Sequence, residues 1–102
     1  MRALRYALSA LNDLDAIADY VESESASPPI ARALIDRLQS RCERLAELPG
    51  MLGQDRAEIR PGIRSTPEGN YIIFFRYDGD CLDVIAVVDA HRELFALFED
   101  RS

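Results

Sequence analysis

The chain's one histidine, His91, sits in a polar knot, Asp89-Ala90-His91-Arg92-Glu93, that closes an apolar run. Arg56, Arg60, Arg64 and Arg76 come before it. Histidine beside arginines suits metal-free RNA cleavage, which needs a base for the 2′-hydroxyl, an acid for the leaving oxygen and cations around the phosphate. In that reading His91 moves the proton and Arg92 holds the phosphate. Asp55, Glu58, Asp89 and Glu93 dilute the positive field in the same region. The arginines have two other uses: salt bridges on a solvated sheet face, or paired hydrogen bonds to an acidic partner. His91 also suits a plain hydrogen bond at a strand end.

Other chemistries fit poorly. A single histidine without an HExxH or CxxC motif gives no metal site. Gly50, Gly53, Gly62, Gly69 and Gly79 fall in separate turns, so no phosphate-cradling loop is expected. Every one of the 12 basic residues is arginine, which leaves no Walker lysine. Ser65 and Cys81 lack the local pattern of an activated nucleophile. The expectation is therefore no metal and no cofactor.

Composition narrows the class. At 102 residues with 48% apolar content, a single domain over residues 1–102 is expected, with one modest core. A net charge of -6 argues against a general nucleic-acid binder and leaves room for a basic partner. No apolar run reaches the roughly 20 residues needed to cross a bilayer. The first twenty residues lack a secretory pattern. The spacing of Cys42 and Cys81 matches no metal motif, and a reduced, cytoplasmic protein is expected.

The elements that must position these groups follow from periodicity. Arg2–Leu8 reads as an edge strand, and Ser9 as the cap of a helix whose inner face is Leu11, Leu14, Ile17, Ala18 and Val21. Ser27-Pro28-Pro29 starts a second helix with a stripe of Ala31, Leu34, Ile35, Leu38, Cys42, Leu45 and Leu48. Pro49-Gly50 ends it. Met51–Gln54 reads as loop, with short strands at Ala57–Ile59 and Ile63–Thr66 and a turn at Pro67-Glu68-Gly69. Asn70–Tyr77 and Cys81–Val88 form a hairpin about Asp78-Gly79-Asp80. Tyr71, Ile73, Phe75 and Tyr77 share one face, and Ile72, Phe74 and Arg76 the other. A helical turn or two is expected over His91–Glu99. The order is β-α-α-β-β-β-α: an α+β domain with an N-terminal strand and helical hairpin packed on a twisted antiparallel β-sheet, and a short C-terminal helix.

Four stretches, taken in order, resemble the ParE-type toxins of bacterial toxin–antitoxin modules, within the RelE/ParE superfamily. They are Ala10–Tyr20 with Leu48-Pro49, Arg60–Ser65, Gly69–Arg76 and Val84–Glu93. The resemblance implies a toxin that inhibits DNA gyrase by binding it and is neutralised by a ParD-like antitoxin in a hetero-oligomeric complex. Arg64, Arg76 and Arg92 match positions expected to bind the target. Leu14, Ile17, Leu34 and Leu38 on the two helices are the expected antitoxin contacts. A RelE-like alternative is ribosome-dependent mRNA cleavage through His91 and Arg92. A third alternative is a non-toxic interaction module of the same fold. Two departures stand out: Asp89 occupies a place where the family has histidine, and the lysines and terminal aromatic of the RelE ribonucleases have no counterparts.

Overall fold

Residues 1–91 are described by a computed structural model. A short strand, β1 (Ala3–Tyr6), leads into two helices, α1 (Leu8–Ser25) and α2 (Pro28–Glu47). Four further strands follow: β2 (Gln54–Asp55), β3 (Arg64–Glu68), β4 (Tyr71–Asp78) and β5 (Cys81–Asp89). They form one five-stranded sheet in the order β1-β5-β4-β3-β2. The hairpins β2–β3, β3–β4 and β4–β5 are antiparallel. The edge strand β1 instead runs parallel to β5, pairing Ala3 with Cys81 and Tyr6 with Val84. Two helices between β1 and the hairpin give the chain the long crossover that a parallel neighbour requires.

The α2 stripe forms as expected. Ser27 accepts a hydrogen bond from the Ile30 N–H, and the two prolines occupy the first turn, where their missing N–H costs nothing. Ala31, Leu38, Cys42 and Leu45 are buried, with Leu34 and Ile35 packed beside them. Burial pushes the Cys42 thiol up to about 11, so it sits in the core as a neutral hydrophobe.

α1 is rotated from the expected register. Its buried residues are Ala10 and Leu14, whereas Leu11 is 44% exposed. Ser9 does not cap this helix: Ala7 occupies the cap position without a side-chain bond, and Ser9 lies inside the first turn. The Ser9 hydroxyl donates to the Ile85 carbonyl at 2.6 Å. The Asp13 carboxylate, one turn on, accepts the Val87 N–H at 3.0 Å. Both partners lie on β5 beyond the reach of β1, which ends opposite Val84. These two side chains take the place of a neighbouring strand, satisfying backbone groups that would otherwise be orphaned.

β4 is the central strand and buries both faces. Ile73 and Phe75 join the helices' core cluster, with Tyr71 and Tyr77 at its margin. Phe74 packs on the other face with Ile63, Ala86 and Val88. A bulge opposite Phe74/Phe75 breaks the alternation of β5, so that Ile85 and Ala86 both join this second cluster.

Between α2 and β3 the short strand falls at Gln54–Asp55, not at Ala57–Ile59. Ile59 instead donates its N–H to the Arg56 carbonyl in a turn. β3 runs through Pro67 to Glu68, and the turn moves to Gly69-Asn70. Gly53 holds β2 against the sheet at φ +76°, and a Cβ there would stand 2.7 Å from the Ser65 carbonyl oxygen and 2.8 Å from the Phe75 ring. Gly53→Ala should therefore cost at least about 1–2 kcal/mol from its left-handed backbone alone, with the clash added. An unchanged melting temperature would show that this loop is not clamped. The terminal helix expected from His91 onward lies outside the described residues, apart from His91 itself, which is in a turn.

Candidate functional site

The register of three strands assembles a charged cluster on the sheet face away from the helices. β1 sets Arg5 opposite Asp83, and β4 sets Arg76 opposite the same residue from the other side. Arg5 grips Asp83 with two bonds, Nε to Oδ1 at 2.6 Å and Nη2 to Oδ2 at 3.0 Å. Arg5 Nη2 also reaches Asp78 at 3.1 Å, and Arg76 Nε stands 3.5 Å from Asp83 Oδ2. Asp83 is only 8% exposed, while the Arg5 and Arg76 side chains are about half exposed (52% and 54%). The Arg5 hydrogen bond holds the Asp83 carboxyl below the usual carboxylate range, with the nearby positive charges adding to it. The result is a buried anion that orients two solvent-facing guanidinium groups.

Arg64 lies on the opposite face, opposite Phe75 in the β3–β4 register. Its Nε donates to the Leu52 carbonyl at 2.6 Å and its Nη2 to the Gly53 carbonyl at 3.0 Å. Arg64 and Arg76 are thus not brought together, and Arg64 is engaged in holding the loop before β2. Arg56 is also committed locally, to the Ser65 hydroxyl at 2.8 Å and Glu58 at 3.6 Å.

The polar knot stands at the far end of the hairpin. Asp89 pairs with Tyr71, whereas Arg76 pairs with Asp83, six residues back along β5. At the usual rise of a strand that separation is about 20 Å. Asp89 Oδ1 accepts the His91 N–H at 2.8 Å, and the imidazole is exposed. Burial, and then the Asp89 charge, raise the Tyr71 hydroxyl above its ordinary value. His91 therefore shares no site with Arg64 or Arg76. Arg92, expected both as a target contact and as part of a nuclease site, lies outside the described residues.

The expected antitoxin contacts divide by exposure. Leu14 is 5% exposed and Leu38 is 0%, so both belong to the chain's own core and offer a partner no surface. Ile17 and Leu34 are half-buried at its margin. The large apolar residues left open on the helices are Leu8, Leu11, Tyr20 and Ile30. Their periodicity merges with the core stripes, which is why the sequence alone assigned the buried leucines instead. Arg5 was missed because only the parallel β1–β5 pairing brings it to Asp83, 78 positions away; Asp83 itself faces Arg76 within the expected hairpin and was not singled out.

Among the described residues no three or more metal-ligating side chains converge, and no helix is long and apolar enough to cross a membrane.

Residues 4–94 match the family described as ParE toxin of type II toxin-antitoxin system, parDE. Toxin ParE3 of Caulobacter vibrioides is 30% identical over 67 residues, a stretch covering 66% of each chain. A structure titled as the chromosomal ParDE TA system from P. aeruginosa superposes with a TM-score of 0.77 at 21% identity. That superposition covers 89% of this chain and 98% of the other, and it speaks for the fold.

Proposed function

This chain belongs to the ParE toxin family of type II toxin–antitoxin systems, and from that premise we propose that it inhibits DNA gyrase by binding it. In the same reading a ParD-like antitoxin holds it silent in a hetero-oligomeric complex in the cytoplasm. The observation that carries the choice of binding over RNA cleavage is the layout of the cations among the described residues. Arg76 on β4 and Arg5 on β1 lie beside Asp83 near one end of the hairpin, while His91 stands at the other end. General acid–base cleavage needs the proton carrier within hydrogen-bond reach of the group it serves, with cations on the same phosphate. A fixed pair of arginines needs no proton transfer to engage carboxylates on a protein target.

The test is direct. Purified protein is expected to block gyrase supercoiling at stoichiometric concentrations and to leave ribosome-bound mRNA intact. Intact supercoiling together with mRNA cleavage that His91→Gln abolishes would overturn the binding reading in favour of the nuclease.

A further inference from the structure

We propose that the outer stripe of α2, built on Arg37, Arg41 and Arg44, receives an acidic helical segment of the antitoxin. The inference rests on the reading of this chain as a toxin held by such a partner, and it assigns the chemistry by which that partner is recognised.

Three residues spaced i, i+4 and i+7 lie on one face of a helix, over a length of about 10 Å. Here that face turns toward the β3 side of the sheet. The Arg41 Nη2 donates to the Thr66 hydroxyl at 3.1 Å. The Arg37 guanidinium lies beside Gly69, with Nη2 3.4 Å from where a Cβ would stand.

The chain carries 18 acidic residues against 12 basic ones, yet among the described residues none of these three arginines forms an ion pair. The Arg41 Nε is buried and has no hydrogen-bond acceptor among the described residues. A guanidinium partly withdrawn from water and short of acceptors is costly unless an anion completes it. Arg2, Arg5, Arg56, Arg64 and Arg76 are each met by carboxylates, carbonyls or a hydroxyl. In the α2 row only Arg41 has such a bond, to the Thr66 hydroxyl.

The surroundings select the occupant. At the start of the row Ile30 is 55% exposed and Leu34 is half-buried, giving an apolar foothold. Among the described residues no strand pairs with this edge of β3 past Ser65, where β2 stops, and Pro67 offers no N–H to an added strand. That favours recognition through side chains over strand pairing. A helix with apolar residues against Ile30 and Leu34, and carboxylates every three or four residues thereafter, meets each group in turn. A nucleic-acid backbone fits less well, because the whole chain bears a charge of -6.

The experiment uses the full chain and the antitoxin encoded beside it. Arg37 and Arg44 are exposed and form no side-chain hydrogen bond or ion pair among the described residues, so Arg37→Glu with Arg44→Glu should stay folded, with only a small loss of stability because Arg44 lies in the last turn of α2. The double variant is expected to bind the antitoxin at least about tenfold more weakly and with a flatter salt dependence. Exchanging the facing antitoxin carboxylates for arginine should restore affinity. Binding equal to the wild type overturns the inference while leaving the antitoxin reading in place. So does loss of binding on Leu8→Glu with Leu11→Glu alone, which would move the interface to α1. A DNA duplex that binds through these arginines while the antitoxin ignores them overturns it as well. Failure of the wild type to bind the antitoxin at all removes both readings.

Discussion

Leu38→Ala is expected to destabilise the protein by about 2–5 kcal/mol, whereas Arg37→Ala, one position earlier, should change stability by about 0–1 kcal/mol. Leu38 is 0% exposed and lies in the cluster that joins α2 to Ile73, Phe75 and Leu82 of the sheet. Truncating it removes contacts on every side, and the surrounding strands and helix relax only partly into the space. A domain of this size has roughly 5–15 kcal/mol in total, so the loss is a large share. The Arg37 side chain points the other way, beside Gly69, without an ion pair among the described residues. Urea denaturation of the two variants compares the faces. Equal small losses would mean that α2 is rotated from the register described.

The same pair separates stability from binding. Leu38 was expected to serve both the core and the antitoxin, and a residue with no exposed surface cannot touch a partner while the fold is closed. Any loss of antitoxin affinity in Leu38→Ala should therefore follow its stability, and recover on cooling. The loss in Arg37→Glu should not.

How far the fold could be read depended on whether the determining contacts were local. α2 was legible because its stripe, its Ser27 cap and Pro49-Gly50 agree with one another. The β4–β5 hairpin was legible for the same reason: Asp78-Gly79-Asp80 sets the turn, and the flanking runs are β-branched and aromatic. The parallel pairing of β1 was not, because four residues carry no mark of direction, and their partners lie 78 positions away. The bulge was hidden as well. Val84-Ile85-Ala86-Val87-Val88 is apolar throughout, so shifting the phase by one residue leaves its hydrophobic pattern unchanged. On α1, Leu11 and Leu14 suggested an inner face that in fact centres on Ala10. The small side chain lets the helix approach β5 closely enough for Ser9 and Asp13 to reach its backbone. The candidate site inherits these limits: Arg76 and the Asp83 opposite it lie in the legible hairpin, but the companion Arg5 depends on the unforeseen pairing.

The two arginines expected to act together on the target should fail in different ways. Arg76→Glu is expected to weaken gyrase inhibition at least about tenfold, since close charge pairs at an interface can couple by about 1.5 kcal/mol or more. Its side chain is 54% exposed, and among the described residues its ion pair is with Asp83, so the fold should survive the change. The new carboxylate will face Asp83, however, and Arg76→Gln serves as the milder variant that removes charge without adding repulsion. Arg64→Ala should act first on stability. It releases two charge-assisted hydrogen bonds to the Leu52 and Gly53 carbonyls, each worth about 1.5–3 kcal/mol when the donor is charged. At a temperature where every variant is folded, Arg64→Ala should inhibit supercoiling nearly as well as the wild type, and Arg76→Gln should not. His91→Gln should leave inhibition unchanged, because the histidine stands at the opposite end of the hairpin and no proton needs to move. If Arg76→Gln and Arg76→Glu both arrest growth and inhibit gyrase like the wild type, the sheet face carrying Arg5, Asp83 and Arg76 is not the surface that meets the target.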